Sequence, residues 1–387
     1  MNHLDPSMPR YSLWQLVRYA LKLGSIGFGG PVALVGYMYR DLVEQRRWIS
    51  EADYKEGLTL AQLMPGPLAA QLAMYLGYVH YRVRGATLVG IAFVLPSFAM
   101  VVALGWLYVR FGGLAWMQAV FYGVAAAVIG IIAMSAWKLT TKNIGRDRLL
   151  WAIFLVSAAF TAATASEIVW VFLLGGVLVW LVRAPPRMLR GGIAPAVAAM
   201  APAVSSGDWP LLWQVFGFFA KAGAFVFGSG LAIVPFLYGG VVTEHHWLSD
   251  HQFVDAVAVA MITPGPVVIT VGFIGYLVAG FPGAAAAAFG TFLPCYLFTV
   301  IPAPYFKKHG KRPAIVAFVD GATAAAVGTI AGSVIVLGRR SVIDLPTALI
   351  AVAAAAVLWK FRKLPEPVVV VVAAALGLLL YPLAAHP

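Results

Sequence analysis

The tripeptide Lys22-Leu23-Gly24 returns as Lys221-Ala222-Gly223, 199 residues later. The same offset carries Phe28-Gly29 onto Phe227-Gly228, Trp48-Ile49-Ser50 onto Trp247-Leu248-Ser249, Glu56 onto Asp255, and Pro65-Gly66-Pro67 onto Pro264-Gly265-Pro266. After one residue is dropped the offset is 198. Gly77-Tyr78 then falls on Gly275-Tyr276, Gly85 on Gly283, Leu95-Pro96 on Leu293-Pro294, and Gly123 and Gly130 on Gly321 and Gly328. One register shift over so long a stretch identifies a duplication, and a duplicated chain folds as two copies of one unit. The copies occupy 11–183 and 212–383, with a Pro- and Arg-containing linker at 184–211 that charge places in the cytoplasm.

The solvent for these copies is a bilayer. The 387 residues are 61% hydrophobic and 11% charged, against about 45–50% and about 25% in soluble domains. A water-soluble protein would have no polar surface left to cover such a core. A spanning helix takes about 20 mostly apolar residues. The apolar runs predict spans at 12–39, 86–109, 114–137, 149–164 and 167–182, and again at 212–240, 282–303, 314–337, 342–358 and 366–383. The first run flows into a Gly-rich segment without a cleavage signature, so no removable signal peptide is expected. Two stretches remain, 52–80 and 251–279, each a pair of arms around a Pro-Gly-Pro. An arm of thirteen residues reaches only about 20 Å at about 1.5 Å per residue, too short to cross. Proline has no N–H and pushes its predecessor out of the helix. Each pair therefore reads as a re-entrant hairpin with its tip at membrane depth, where such backbone must be covered by protein or a wet cavity. The fold class expected is all-α and polytopic: about ten spans, two re-entrant hairpins and an internal repeat.

Charge gives the repeat an orientation. Five spans per copy, an odd number, force the second copy to lie inverted. Arg40, Arg46, Arg47, Arg82 and Arg84 flank the first hairpin, whereas 241–250 and 280–282 carry no Lys or Arg. The next loop reverses this, with only Arg110 in the first copy but Lys307, Lys308, Lys311 and Arg312 in the second. Basic loops stay in the cytoplasm, which leaves both termini outside; Arg10, Arg339 and Arg340 run against the rule. Reporters placed in 241–250 and 305–312 are expected on opposite sides. The formal charge of +12 is spread between apolar runs, an arrangement unlike a nucleic-acid site. The one cysteine, Cys295, excludes an internal disulfide and a Cys-based cluster. His245, His246 and His251 read as solvated loop residues rather than metal ligands. No phosphate-binding Gly-Lys-Ser/Thr loop is present, so the chain carries no ATPase of that kind. Inverted copies with interrupted helices near the midplane are the architecture of secondary transporters. An intramembrane enzyme would need clustered His or carboxylates where Asp320 stands nearly alone, and a passive channel is the other reading.

Gly27-Phe28-Gly29-Gly30-Pro31 with its echo Phe227-Gly228-Ser229-Gly230, Trp48-Ile49-Ser50 ahead of Pro65-Gly66-Pro67 with its echo, and the repeated Leu-Pro stand together. In this the chain resembles the chromate ion transporter family in its long, two-domain form. The resemblance covers nearly the whole chain. It implies a transporter of chromate, usually an exporter from the cytoplasm that confers resistance, with the isosteric sulfate as the alternative cargo. Ser229 and Gly230 replace the Gly30 and Pro31 of the first copy, so the halves need not contribute equally. Lipid is an expected partner and a homodimer an allowed assembly; no cofactor is expected.

A tetrahedral dianion at membrane depth needs N–H donors or positive charge. Glycine-rich breaks free backbone N–H groups, and a helix that restarts after a break carries about +0.5 of an elementary charge at its N-terminus. Gly27, Phe28, Gly29 and Gly30, Phe227, Gly228, Ser229 and Gly230, and the tips Pro65-Gly66-Pro67 and Pro264-Gly265-Pro266 are the candidates. The alternative is that these glycines only allow close helix packing. Lys22 and Lys221 are symmetric cations that either attract the anion or snorkel to a headgroup. Glu56 and Asp255 are a symmetric carboxylate pair for coupling or gating, or else they solvate the hairpin entry. Asp320, in an otherwise apolar span, is a proton-relay candidate or the salt-bridge partner of a lysine. Gln62, near the first tip, is a donor candidate.

Overall fold

The computed structural model describes residues 11–27, 30–111, 115–164, 169–185, 210–225, 233–309, 312–361 and 364–384. Every described element is helical. In the first copy these are α1 (Leu13–Ile26), α2 (Gly30–Met38), α3 (Glu51–Leu63), α4 (Leu68–Phe111), α5 (Ala115–Asn143), α6 (Arg148–Thr164) and α7 (Val169–Arg183). The second holds α8 (Leu211–Ala224), α9 (Ile233–Tyr238), α10 (Asp250–Ile262), α11 (Thr270–Val300), α12 (Ala303–His309), α13 (Pro313–Ser341), α14 (Leu345–Lys360) and α15 (Glu366–Ala384). A π-helical turn follows α2 at Tyr39–Gln45 and α9 at Gly239–Glu244.

Local chemistry sets the boundaries, and it does so twice. Ser50 caps α3, its Oγ accepting the Asp53 N–H at 3.0 Å. Ser249 caps α10 in the same way, accepting from Gln252 N–H at 3.3 Å. Both caps satisfy donors that a helix start leaves orphaned. The first expected span, 12–39, is two helices, because α1 ends at Ile26 and α2 begins only at Gly30. Phe28 and Gly29 lie outside the described residues, as do 226–232 with Phe227, Gly228, Ser229 and Gly230, and 186–209 of the expected linker. The arm after each Pro-Gly-Pro runs into the following span, interrupted once. The interruption sits at Arg82 (φ 53°, ψ −143°) in α4 and at Gly280 (φ 61°, ψ −152°) in α11, positions 198 apart. Helix α5 runs to Asn143, so Lys138 and Lys142 stand in its last turns and not in a loop. Arg339 likewise belongs to α13 and not to a connecting loop.

Four helical stretches are long and apolar enough to cross a bilayer by themselves: Leu68–Phe111, Trp116–Asn143, Val267–Phe306 and Pro313–Arg339. Shorter apolar helices lie at Arg148–Thr164, Trp170–Arg183, Leu345–Lys360 and Glu366–Tyr381. Their outer faces carry exposed Trp106, Trp116, Leu155, Leu174, Leu349, Val371 and Leu379, a surface made for lipid.

The copies are not self-contained. Helix α5 packs on α14 and α15, while α13 packs on α6 and α7. Each copy thus has one long helix, α5 or α13, covered by the last two helices of the other. Glycines bring these pairs into backbone contact. A Cβ on Gly123 would stand 2.0 Å from the Ala373 carbonyl oxygen, and one on Gly321 2.2 Å from that of Gly175. Gly130 faces Ala351 and Gly328 faces Phe154, each at 2.3 Å. Small residues are how helices associate where no hydrophobic drive separates protein from solvent.

Candidate functional site

Both Pro-Gly-Pro tips are anchored through their first proline. Gln71 Nε2 donates to the Pro65 carbonyl at 2.7 Å, and Ser97 Oγ donates to the Pro264 carbonyl at 2.7 Å. The glycines that follow take φ of +141° at Gly66 and +99° at Gly265, conformations that side chains with a Cβ rarely adopt. Both tip glycines are buried, so protein covers this irregular backbone.

The second tip reaches the first copy's helix break. The Gly265 N–H donates to the Gly27 carbonyl at 3.0 Å, and Ser97 Oγ contacts the Gly24 carbonyl at 3.2 Å. Three irregular pieces from both copies therefore converge: the end of α1, the Ser97 turn of α4 and the Pro264–Pro266 tip. Gly24 is close-packed, since a Cβ there would sit 2.1 Å from the Phe93 carbonyl oxygen. Gly223 repeats this against Thr291 at 2.2 Å, and Cys295 Sγ contacts the Gly223 carbonyl at 3.6 Å as Ser97 does that of Gly24. Packing and convergence are thus both served by these glycines. Two helix starts point at the tips. α4 begins at Leu68 directly after Pro67, and a short 3₁₀ turn, Val267–Ile269, leads into α11 after Pro266. The first amides of such helices have no partner within the helix.

The remaining candidates divide. Asp255 is buried at 7% exposure and accepts from Tyr108 Oη at 2.7 Å; Glu56 accepts from Tyr75 Oη at 2.7 Å. Lys22 and Lys221 are both exposed on their helices. Gln62 is exposed and Gln71, nine residues on, is fully buried at the tip, where its Oε1 has no partner. Asp320 is paired with an arginine and not a lysine: Arg183 Nη1 meets Asp320 Oδ2 at 2.6 Å, and Arg183 Nη2 binds Asp147. At the equivalent place in the other copy Tyr122 Oη donates to Asp344 Oδ2 at 2.5 Å, and Tyr381 stacks edge-on against Tyr122 at 5.5 Å.

The segments ahead of α3 and α10 share an aromatic frame with different occupants. Arg46 lies over Trp48 at 4.6 Å and Tyr19 at 5.3 Å. His245 takes the same place, stacked on Trp247 at 4.4 Å and edge-on to Phe218 at 5.7 Å. The histidine expected to be solvated is held between rings. Among the described residues no group of three His, Cys, Asp or Glu could hold a metal. A groove of about 550 Å³ between α4 and α11 is lined by Leu95, Phe98, Trp106, Tyr276 and Phe281; it is apolar and offers nothing to a dianion.

Sequence reasoning missed Gln71, Ser97, Tyr75, Tyr108 and Arg183. Gln71 is signalled as the one polar residue within Leu68–Leu76 other than Tyr75. Ser97 is signalled by its position directly after the repeated Leu-Pro, where the second copy has Cys295.

An all-helical, lipid-exposed fold whose two copies meet through broken helices is that of a membrane-embedded transporter. The family model "Chromate transporter" matches the chain twice, at 14–180 and 213–378. The chain belongs to this family. It is 71% identical over 383 residues to the chromate transport protein of Cupriavidus metallidurans, covering 98% of this chain and 96% of that one. It is 63% identical over 380 residues to the probable chromate transport protein of Synechococcus elongatus (96% and 97%), and 33% identical over 396 residues to the chromate transport protein of Pseudomonas aeruginosa (97% and 94%). No solved structure matches the chain significantly.

Proposed function

We propose that the chain exports chromate across the cytoplasmic membrane by alternating access around the seam between Gly27 and the Pro264–Pro266 tip. The observation that carries this is the Gly265 N–H bonded to the Gly27 carbonyl. That donor is satisfied here by a neutral acceptor from the other copy. When the copies part, the amide is released toward the seam, and an oxyanion replaces the carbonyl as its acceptor. The amides that open α4 and α11, with the positive ends of those helices, add to the same field. A backbone site suits a tetrahedral dianion because it supplies several donors without a fixed counter-charge that would hold the cargo.

In this reading the two Pro-Gly-Pro pairs are re-entrant hairpins that approach the midplane from opposite sides, and the second copy is inverted. The chain crosses about ten times, with the linker in the cytoplasm and both termini outside. Arg40, Arg46, Arg47, Arg82 and Arg84 then line the cytoplasmic mouth, where permanent cations gather a dianion by long-range attraction. The outer mouth has His245 where the inner one has Arg46. Lys22 and Lys221 supply charge at the depth of the breaks. Export of a dianion from a negative-inside cell is downhill by about 4.6 kcal/mol at 100 mV, from about 2.3 kcal/mol per charge.

Sulfate, which shares the geometry and charge of chromate, is the second cargo, taken up by symport in the competing reading. Labelled chromate flux in everted vesicles separates them. Export predicts accumulation in the lumen that cold chromate blocks. Uptake of sulfate predicts that sulfate competes better than chromate and that accumulation occurs in right-side-out vesicles instead.

A further inference from the structure

Asp255 has a setting that the oxyanion site does not use. It stands on α10, a helix buried along Phe253–Met261, and is itself 7% exposed. Among the described residues no Lys or Arg forms an ion pair with it. Tyr108 is the titratable group that faces it from the helices packed against α10, namely α4, α5, α11, α13 and α15. A buried carboxylate held by one neutral donor is poised to exchange a proton, since burial opposes its charge and nothing nearby compensates it.

The hydrogen bond also joins the two copies. Tyr108 belongs to α4 of the first copy, and its ring packs edge-on against Phe121 at 5.4 Å and against Phe273 of the second copy at 5.5 Å. Phe273 is the counterpart of Tyr75, the residue that serves Glu56 within its own hairpin. The second copy has no hydroxyl at that position and receives one from the other copy. The difference matters. A bond inside a hairpin moves with the hairpin, whereas a bond between copies must be kept or broken as they shift.

We infer that Asp255 is the proton-carrying group of the transport cycle and that its bond to Tyr108 couples protonation to the relative movement of the copies. The ionised carboxylate holds Tyr108 by a charge-assisted bond and locks the copies together. Taking up a proton from the aqueous phase turns carboxylate into carboxylic acid, weakens that bond and lets the copies part; loss of the proton on the other side restores it. This rests on the transport reading above. A proton moving inward and a dianion moving outward carry current in the same sense, so the membrane potential drives both.

The test uses the full-length protein in everted vesicles with labelled chromate and the potential clamped at zero. Two rates are read: accumulation driven by an acid-lumen pH gradient, and chromate–chromate exchange without any gradient. Wild type is expected to show both. Asp255→Asn is expected to keep exchange within about threefold while losing gradient-driven accumulation, as a variant would that binds cargo but cannot carry the proton. Tyr108→Phe, which removes only the hydroxyl and with it the lock, is expected to keep exchange and to accumulate severalfold less under the gradient, with the pH midpoint of what remains moved upward because the ionised carboxylate has lost its donor. Equal gradient response in Asp255→Asn and wild type overturns the inference. So does a wild type that exchanges chromate but ignores the pH gradient, an outcome that leaves the transport reading standing. Absence of exchange as well as accumulation in wild type removes both. Where Asp255→Asn fails to insert, an unmoved midpoint in Tyr108→Phe overturns the proposal.

Discussion

The backbone N–H of Gly265 and the carbonyl of Gly27 meet at 3.0 Å, although 238 residues of sequence separate them (265 − 27). Gly265 can occupy this position only because it lacks a Cβ, which would stand 2.0 Å from Ser97 Oγ while the backbone holds φ at +99°. Gly265→Ala therefore adds strain of about 1–3 kcal/mol and pushes the tip from Gly27. Chromate resistance is expected to be lost at normal membrane levels of the protein. At Gly66 φ is +141° and a Cβ would stand 2.5 Å from the buried Gln71 side chain that anchors Pro65, so Gly66→Ala is also expected to lower resistance. Resistance assays normalised to membrane content compare the two, and equal resistance of Gly265→Ala and wild type would sink the seam as the site.

Arg82 holds a backbone conformation that its counterpart, Gly280, adopts freely. An arginine kept there against about 1 kcal/mol of strain reads as a functional choice, with its guanidinium over Tyr78 at 5.7 Å. Arg82→Gly is expected to leave thermal stability equal or raised while weakening chromate capture from the cytoplasmic side severalfold. A fluorescence melting curve and the apparent KM for flux give the two readings. A fall in stability with unchanged KM would contradict this.

Arg183 joins Asp147 and Asp320, and so ties the start of α6 and the end of α7 to α13 of the other copy. Asp147, in the loop before α6, has its carboxyl held below the usual range by the Leu150 backbone N–H and then by Arg183. The sign follows from linkage. A depressed carboxylate stabilises above its unfolded pKa, and that contribution is lost as pH falls through the folded value. The purified protein is expected to lose Tm on acidification from about pH 5 to pH 3, and Arg183→Gln is expected to flatten that slope. The pairs are partly exposed, so the effect at neutral pH is expected to be small.

Lys22 and Lys221 stand on exposed faces of α1 and α8, where a cation serves either a wet pathway or a headgroup. Replacement by alanine distinguishes these. Each variant is expected to insert normally and to abolish chromate resistance; full resistance from either stable variant would remove that lysine from the pathway.

Much of the fold is written in single letters. Proline and glycine mark breaks irrespective of what surrounds them, so the interruptions at Gly27, Pro65–Pro67 and Pro264–Pro266 are legible before any packing is known. The seam itself is not, because a backbone amide has no letter and its acceptor lies in the other copy. Tyr108 and Asp255 fail for a related reason: the partners stand 147 residues apart, and a tyrosine in an apolar helix looks like any interfacial aromatic. Asp320 looked isolated because its cation comes from the last residue of α7. The pairing of α5 with α14 and α15 was equally hidden, since Gly123 and Gly130 announce a close neighbour without saying which.

That exchange of helices governs how such a molecule can come into being. When α5 enters the bilayer, the helices that will cover its glycines have yet to be synthesised, so the first half must persist there with an open flank. Severing the chain within 184–211 should leave two fragments that reassemble, now as a reaction between separate molecules whose yield depends on their abundance. An unduplicated ancestor faced the same requirement and could close its seams only by finding a second molecule of itself. Fusion of the two made that encounter unimolecular, and it freed each half to diverge: an arginine at one mouth, a histidine at the other.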